Sequence, residues 1–415
     1  MDINDNRARI LFVCSTKLLL FNALHVRMHM FPNAKADIIF DFSRPETVAC
    51  AERISQTKLF DNVAFRSPPY VDFKEYFSLV RNNQPAPSLF TAIKNTVNKY
   101  GKTGHRNADS REQYLEQQIH GYEKLDISRY THIFGYGNTD TIRNIVSLAK
   151  EKNKTCKMCV LEEGIGSYFR EYICNDIKPD SIFLYSPNMV LYEYDERITK
   201  IPPIDKNDKE FIDCVNLVFN HRDKEKVENK IIFFDDHASD MPGYLKISKL
   251  LSKTLLRNSY KKHVREMRFL QLQREAFELL CKYRNNREVI VKLHPTTKRN
   301  TIEEEYLNRP GVSVLEAAFA PWEVVCLNND VHNNIIVTMM SAAVKGNSIF
   351  TGYTDNNVYI VLVDLVSDIY DNEKGSALLK KWSEQENIHV IFPQDIGEYE
   401  EYLKSNNSKM TDNWR

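Results

Sequence analysis

Short apolar runs alternate with longer segments of helical periodicity along both halves of this chain. Residues 9–14 form a run of aliphatic and aromatic side chains, and in residues 18–30 the apolar side chains recur at helical spacing. A strand followed by a turn and a helix is the unit that builds parallel sheets with helices on both faces. The alternation therefore predicts the α/β class.

Further apolar runs predict how the strands are distributed. In the first half they predict strands at 37–42, 131–135, 156–161 and 181–185. Residues 192–229 are charged and irregular. Beyond them come a predicted strand at 230–235, a long helical zone at 245–283, and strands at 288–294, 312–315, 334–338 and 348–350. We predict two Rossmann-like domains facing across a cleft, at 1–215 and 228–393, with a C-terminal helical tail at 394–415.

The balance of charges excludes some classes of function. The 415 residues include 56 basic and 56 acidic side chains, and a neutral chain lacks the basic excess that nonspecific nucleic-acid binding needs. No apolar stretch approaches the roughly 18 residues of a membrane span, and the N-terminus lacks the pattern of a signal peptide. We expect a cytoplasmic protein without a nucleic-acid partner.

Metal-binding patterns are weak in this chain. Its cysteines lie in regular segments and are expected to be buried thiols of a reducing compartment. Cys156 and Cys159 have CxxC spacing, but a predicted strand runs through them and no second pair exists, so zinc is not expected. Asp235 and Asp236 resemble an acidic metal motif without a convincing setting. We expect neither a metal nor a cofactor.

Two adjacent carboxylates and a glycine follow the predicted strand at 156–161. In open α/β sheets, ligands bind beyond the carboxyl ends of the strands, so Glu162 and Glu163 are placed for chemistry. The alternative is a solvated strand end or the first turn of a helix, where acids are also favoured.

A histidine marks a second strand end. The strand at 288–294 stops at His294 because Pro295 cannot continue it. A single histidine is also a common structural residue. A carboxylate at one strand end and His-Pro at another, in opposite halves of the chain, is a rarer arrangement that favours a functional role.

Two further segments suggest surfaces for partners. Residues 101–110 are polar, contain glycine and are partly basic, which indicates a loop over one domain face, with an acceptor-binding lid as the alternative. Residues 246–268 are rich in lysine and arginine, with leucines at helical spacing. They predict an amphipathic helix with a solvated basic face, or else a surface that meets anionic lipid or glycan.

Two more motifs complete an ordered set. Residues 320–327, Ala-Pro-Trp-Glu-Val-Val-Cys-Leu, and residues 335–344 follow the Glu-Glu-Gly and His-Pro segments. In order and approximate spacing, the set resembles glycosyltransferase family 52, the lipooligosaccharide sialyltransferases. It is more distantly similar to bacterial polysialyltransferases and to the multifunctional marine and Pasteurella-type sialyltransferases. The resemblance covers most of the chain as a layout and implies the GT-B glycosyltransferase architecture.

The resemblance implies a role for each motif. Glu163, beside Glu162, corresponds to the catalytic base that takes the proton from an acceptor hydroxyl. His294, followed by Pro295, corresponds to the residue that donates to the departing phosphate of cytidine monophosphate. Glu323 corresponds to the acid that accepts hydrogen bonds from the cytosine amino group.

The phosphate-binding turn of the family has fewer hydroxyls here. Where many relatives have two or three hydroxyl residues, this chain has Met-Met-Ser at 339–341. The implied donor-binding groups are Ser341, the nearby Thr338 and the backbone at Ala342. Turns after strands of the first domain add four candidate contacts to the acceptor or to a phosphate, namely Ser15, Thr16, Asn138 and Gly164.

Together these motifs imply an inverting, metal-independent sialyltransferase. It would move sialic acid from CMP-sialic acid to a hydroxyl of a bacterial surface glycan, with a terminal galactose of lipooligosaccharide or capsule as the expected acceptor. Peripheral contact with the inner membrane and a homodimer are open alternatives. So are a polysialyltransferase, a transferase of the same fold with another donor, and a catalytically inactive glycan-binding protein.

Overall fold

The computed structural model describes residues 8–40, 46–66, 108–136, 140–169, 178–192, 196–221, 227–236, 257–294, 306–315, 320–352, 356–367, 369, 373–385 and 388–409. The chain divides into two compact units, Met1–His221 and Arg222–Arg415. Each unit is built around one largely parallel sheet.

The sheet of the first unit has eight strands among the described residues, in the order β4-β3-β2-β1-β5-β6-β7-β8. They are β1 (Arg9–Cys14), β2 (Lys35–Phe40), β3 (Asn62–Arg66), β4 (Ile119–His120), β5 (His132–Gly135), β6 (Lys157–Leu161), β7 (Ser181–Leu184) and β8 (Ile198–Lys200). The edge strand β4 is antiparallel to β3, and the other described pairs are parallel. Because β1 lies between β2 and β5, the strand order reverses there, as in a doubly wound sheet.

Helices cover this sheet. They are α1 (Lys17–His29), α2 (Glu46–Thr57), α3 (Ala108–Gln118), α4 (Asp140–Lys152) and α5 (Lys209–Phe219). Residues 19–26 of α1 are all buried, because this helix contacts β1, β6 and α5. The Phe21 and Phe211 rings of α1 and α5 meet edge to face, with centroids 5.6 Å apart. The helix that follows the β1 turn is therefore packed against both the sheet and α5.

Aromatic side chains fill the core beside the central strands. Phe12 of β1 stacks on Phe134 of β5 at a centroid distance of 5.1 Å, and Phe134 lies 5.0 Å from Phe183 of β7. Burial of a phenylalanine side chain contributes about 1.5–3 kcal/mol relative to exposure. These rings stabilise the packing of the strands whose carboxyl ends carry the polar residues discussed below.

The second unit contains a parallel sheet with six strands among the described residues, in the order β11-β10-β9-β12-β13-β14. The strands are β9 (Ile231–Phe234), β10 (Val289–Lys292), β11 (Val312–Val314), β12 (Ile335–Thr338), β13 (Val358–Val361) and β14 (His389–Ile391). The described helices are α6 (Arg257–Tyr283), α7 (Trp322–Asn328), α8 (Glu373–Gln385) and α9 (Ile396–Lys409).

The C-terminal helix α9 belongs to the core of the second unit. Tyr399 and Leu403 of α9 are buried in the same cluster as Phe277 and Leu280 of α6. The Tyr399 hydroxyl also donates to the backbone carbonyl of Ala276 at 3.3 Å. The helix predicted as a tail therefore packs as an integral element of this unit.

The two sheets confirm the predicted α/β class and the two Rossmann-like domains. One predicted strand, at 348–350, is wrong. Ser348 caps the preceding 3₁₀ helix Ala342–Asn347. Its backbone N–H and its hydroxyl both donate to the Lys345 carbonyl, at 2.9 and 2.8 Å, and the chain turns there. The sheet is continued by β13 instead, which the sequence reading missed.

Other differences concern the ends of elements and short edge strands. The strand predicted to reach His294 ends at Lys292, and the stretch 192–229, predicted to be irregular, contains β8 and α5. Residues 101–107 of the predicted loop lie outside the described residues, whereas 108–110 begin α3. Residues 245–256 of the predicted helical zone also lie outside them. Among the described helices, none combines the length and the apolar character needed to cross a membrane.

Candidate functional site

The carboxyl ends of β1, β5 and β6 lie side by side at one edge of the first sheet, because these strands are parallel neighbours. Ser15 and Thr16 follow β1, and Glu162 and Glu163 follow β6. Asn138, in the predicted turn after β5, lies outside the described residues. The sheet thus brings the β1 turn and the two acids to the same edge.

The Glu162 side chain is held in place by hydrogen bonds within the protein. Its side chain is buried, and Oε2 accepts hydrogen bonds from the Tyr168 hydroxyl at 2.7 Å and from the Tyr185 backbone N–H at 2.8 Å. Its backbone carbonyl accepts a third bond from Asn22 Nδ2 at 2.7 Å. The Glu162 side chain is therefore engaged in hydrogen bonds within the protein, as buried polar groups usually are.

The Glu163 side chain lies in a different environment from that of Glu162. It is half-buried and bonds the Thr16 side chain. Burial raises the pKa of Glu163 to about 7, and the hydrogen bond with Thr16 opposes that rise. A carboxyl group whose pKa lies near neutrality is matched to proton abstraction at physiological pH.

Thr16 joins the candidate base to the start of α1. As the N-cap residue of this helix, its hydroxyl accepts a hydrogen bond from Leu19 N–H at 3.1 Å. The same side chain contacts Glu163. Ser15, the preceding residue, is half-buried. Of the first-unit candidates, the structure brings Thr16 and Glu163 into direct contact.

The backbone turn after Glu163 requires a glycine. Gly164 adopts φ 91° and ψ −153°, a conformation that side chains with a Cβ rarely adopt. This turn allows the buried Ser167 hydroxyl to accept a hydrogen bond from Glu163 N–H at 2.7 Å. Gly164 and Ser167 therefore determine the direction in which the Glu163 side chain leaves the strand.

The sequence reading missed four residues of this edge, which are Asn22, Ser167, Tyr168 and Tyr185. Ser167 and Tyr168 stand within a few positions of the acids, and Tyr185 directly follows β7, the neighbour of β6. Asn22 is a polar residue in the buried segment of α1. Its position within an apolar helical pattern could have identified it, because a buried amide needs a hydrogen-bond partner and therefore indicates a polar contact nearby.

In the second unit, His294 follows β10 by two residues and is exposed. Pro295 lies outside the described residues. Lys292, the last residue of β10, is buried, and its Nζ donates to the Leu293 carbonyl at 3.2 Å. Burial lowers the pKa of Lys292 to about 8, while the negative charge of Glu323 opposes that shift. A buried cation thus lies near one of the predicted donor-binding acids.

Glu323 is a buried acid in the first turn of α7, rather than an exposed acid on a helix surface. The 3₁₀ helix Ala342–Asn347 passes close to it. A Cβ on Gly346 would lie 2.7 Å from Trp322 Cδ1 and 3.6 Å from Glu323 Oε1. Glycine at this position therefore permits the close approach, and the sequence reading had not identified Gly346 or Lys292.

The turn after β12 encloses a carboxylate. Oδ2 of Asp236 accepts hydrogen bonds from the Thr338 hydroxyl at 2.5 Å and from the backbone N–H groups of Met339 and Met340 at 2.8 and 2.9 Å. The Thr338 oxygen in turn accepts a bond from Ser341 N–H at 2.8 Å. Burial raises the pKa of Asp236 to about 6. Of the groups predicted to bind the donor phosphate, the Thr338 hydroxyl is therefore bonded to an internal acid.

Ser341 is the half-buried N-cap of the helix Ala342–Asn347. Its hydroxyl oxygen accepts a hydrogen bond from Ala343 N–H at 3.2 Å, and Ala342 is the first residue of that helix. A serine hydroxyl that accepts one bond still carries a proton that it can donate. Ser341 can therefore donate to an anionic ligand while it caps the helix.

The acidic pair and the CxxC pair have protein environments of their own. Oδ1 of Asp235 accepts bonds from Gln273 Nε2 at 2.7 Å and from the Tyr306 hydroxyl at 3.2 Å. Cys156 and Cys159 are free, buried thiols. Within the described ranges, no group of three or more His, Cys, Asp or Glu residues is arranged to hold a metal ion. Metal independence stays a prediction.

No model of a known protein family matches this chain. No curated protein matches it either.

Several solved structures resemble the chain at low identity. The α/β-galactoside α-2,3-sialyltransferase of the luminous marine bacterium Photobacterium phosphoreum matches with a TM-score of 0.46 and 10% identity, over 93% of this chain and 99% of that chain. CalG4, the calicheamicin glycosyltransferase, matches with a TM-score of 0.45 and 7% identity, over 98% of this chain and 90% of that chain. UDP-GlcNAc 2-epimerase from Neisseria meningitidis matches with a TM-score of 0.42 and 13% identity, over 97% and 94%. At such values, the activity of this chain has to be argued from its own residues.

Proposed function

We propose that this chain is an inverting, metal-independent sialyltransferase that moves sialic acid from CMP-sialic acid to a hydroxyl of a bacterial surface glycan. The observation that carries the proposal is the environment of Glu163, a half-buried acid at a strand end whose pKa burial raises to about 7. Such a group is suited to general-base catalysis near neutral pH. Lipooligosaccharide or capsule with a terminal galactose is the proposed acceptor.

In the proposed reaction, Glu163 takes the proton of the acceptor hydroxyl while that oxygen attacks the anomeric carbon of the sialic acid. The bond from that carbon to the phosphate oxygen breaks, and its electron pair leaves with cytidine monophosphate. Attack on the face opposite the leaving group inverts the configuration. His294 donates to the departing phosphate, because negative charge grows there as the bond breaks.

The proposed donor contacts lie in the second unit. Glu323 is a buried carboxylate that interacts electrostatically with Lys292. An ionised carboxyl group acts only as a hydrogen-bond acceptor. This environment supports recognition of an exocyclic amino group such as that of cytosine. The Ser341 hydroxyl is the proposed donor to the phosphate.

A catalytically inactive glycan-binding protein is the second candidate. The bonds from Thr338, Met339 and Met340 to Asp236 favour it, because they engage groups that would otherwise be available to a donor phosphate. A polysialyltransferase is the alternative within the same class. The equal numbers of acidic and basic residues disfavour it, since a polymerase has to hold a long anionic chain.

One assay separates these functions. Purified protein is incubated with CMP-sialic acid and lactose, and both CMP release and sialylated products are measured. A product with one sialic acid supports the proposal, longer products indicate a polymerase, and binding of glycan without CMP release indicates the inactive protein. Activity that disappears in EDTA and returns with magnesium would contradict the metal-independent mechanism.

The proposal includes a cytoplasmic location for this activity. Contact with the inner membrane and a homodimer stay open alternatives that can be measured separately, by flotation with anionic vesicles and by light scattering. Neither result changes the roles proposed for Glu163 and His294.

A further inference from the structure

Asp236 lies just beyond the carboxyl end of β9, a central strand of the second sheet. It follows β9 by two residues, and β9 pairs with β12, after which the turn 338–341 begins. The Asp236 oxygen that accepts the Thr338 hydroxyl also accepts two consecutive backbone N–H groups, those of Met339 and Met340. Consecutive N–H groups that converge on one atom form an anion-binding concavity of the kind that also binds phosphate. In this chain the bound anion is a side chain of the protein.

The position of Asp236 is itself determined by α6. The Asp236 backbone N–H donates to Gln273 Oε1 at 2.9 Å, and Gln273 Nε2 donates to Asp235 at 2.7 Å. Gln273 is buried, so its amide connects the end of β9 to the core. The Asp236 carboxylate therefore projects from a well-supported backbone.

The side chains of the two methionines face the core. Met339 is a member of the buried apolar cluster of this unit, and Met340 packs against that cluster. The two side chains therefore belong to the apolar core of the second unit, while their backbone N–H groups bind Asp236.

Hydrogen bonds connect Asp236 to Ser341. The carboxylate accepts from the Thr338 hydroxyl at 2.5 Å, and the Thr338 oxygen accepts from Ser341 N–H at 2.8 Å. Bonds to a charged acceptor are roughly twice as strong as those between neutral groups. Removal of the charge at Asp236 is therefore expected to loosen the whole turn, including the backbone that orients the Ser341 hydroxyl.

We propose that Asp236 is a positioning residue for the donor phosphate, which holds the turn 338–341 so that the Ser341 hydroxyl is directed at the ligand. The identity of the ligand rests on the proposed function, whereas the role of Asp236 in the turn rests on the contacts above. Because the concavity already contains a carboxylate, a phosphate does not share it, since like charges at hydrogen-bond distance repel. The phosphate is bound through Ser341, beside the concavity.

The test compares Asp236→Asn with Glu288→Gln. Glu288 is the matched control, because its carboxylate accepts bonds from Lys230 and Ser313 next to the start of β10, at the opposite end of the same sheet. In Asp236→Asn, amide hydrogen exchange at Met339 and Met340 is expected to become about tenfold faster, as charge-assisted bonds are lost. In Glu288→Gln the exchange of these amides stays as in the wild type.

The second measurement is donor binding. For Asp236→Asn the KM for CMP-sialic acid is expected to rise about tenfold while kcat changes much less, the pattern of lost ground-state binding. If the wild-type protein transfers nothing, the proposed function fails, and calorimetric titration with CMP takes the place of KM. The expected result is then an about tenfold weaker affinity for CMP in the variant.

Several results would overturn the inference. One is a folded Asp236→Asn protein with unchanged exchange at the two amides. Another is faster exchange with unchanged KM and unchanged CMP affinity, and a third is a wild-type protein that binds no CMP. If Asp236→Asn does not fold, Thr338→Val removes one of the three bonds with little change of shape. In the Thr338→Val protein, amide hydrogen exchange at Met339 and Met340 has to be faster than in the wild type, and unchanged exchange would overturn the inference.

Discussion

The Glu162 carboxylate accepts a hydrogen bond from the Tyr185 backbone N–H at 2.8 Å, which joins the end of β6 to the end of β7. The Tyr168 hydroxyl donates to the same oxygen at 2.7 Å. These bonds occupy the first acid of the pair. Its neighbour Glu163 instead contacts Thr16, and burial raises the pKa of Glu163 to about 7. Two acids adjacent in the sequence thus have different environments and are expected to respond differently to the same substitution.

Glu163→Gln is expected to reduce transfer of sialic acid by a factor of about 10² to 10⁴, the usual contribution of a general base. CMP binding is expected to be retained, because Glu163 belongs to the first unit and the proposed donor contacts to the second. The initial rate of CMP release at saturating donor and a CMP titration measure the two effects. A variant within a few-fold of the wild-type rate would remove Glu163 from the mechanism.

Glu162→Gln is expected to affect stability more than Glu163→Gln does. The amide oxygen can take the place of Oε2, but the change puts an NH₂ group where the second carboxylate oxygen lies, in a buried site, and a buried donor left without an acceptor costs about 1–3 kcal/mol. Denaturant unfolding of both variants gives the comparison. If Glu162→Gln were as stable as the wild type and lost transfer by the larger factor, the roles of the two acids would have to be exchanged.

The pH dependence of transfer follows from the pKa of Glu163. Only the ionised carboxylate accepts a proton, so kcat/KM is expected to rise with pH through about 7. A pH profile of kcat/KM measures this directly. A flat profile on both sides of neutrality would contradict the proposed base.

The same group is expected to make stability depend on pH in the opposite direction to activity, with stability falling as pH rises. The folded-state pKa of about 7 lies above the ordinary value of 4.5, because burial disfavours the charged form. Between these values the folded protein binds the additional proton, so this contribution is fully present below the ordinary value and is lost as pH rises through the folded pKa. Glu163→Gln should remove this part of the pH dependence of unfolding, as measured by denaturation at several pH values.

His294→Ala is expected to lower kcat by about 10² to 10³, the loss seen when one donor to developing charge is removed. The KM for the donor should change little, because the interaction strengthens mainly in the transition state. Steady-state kinetics separates the two constants. Near-normal transfer by this variant would show that the histidine is not part of the mechanism, and His294→Gln would then be expected to behave like the wild type as well.

Much of the fold was predictable because its signals are local. The strand β1 and the helix after it have apolar periodicities that identify them within a few residues, and the strand ends at Leu161 and Lys292 are close to the predicted positions. The strand β13 was missed because the short apolar run at 348–350 looked like a strand. That run instead follows a 3₁₀ helix capped by Ser348, a contact that periodicity does not reveal.

By itself, the sequence determined the α/β class and the presence of acids and a histidine just beyond strand ends, since strand and helix periods are properties of neighbouring residues. The tertiary structure decided which acid is buried among donors and which has a raised pKa. Those properties depend on Tyr185 and Thr16, which only the pairing of strands brings to Glu162 and Glu163. The same holds for Asp236, whose carboxylate meets the N–H of Met340, 104 positions away. Burial and convergent hydrogen bonds arise from contacts distant in sequence, so local patterns leave them undetermined.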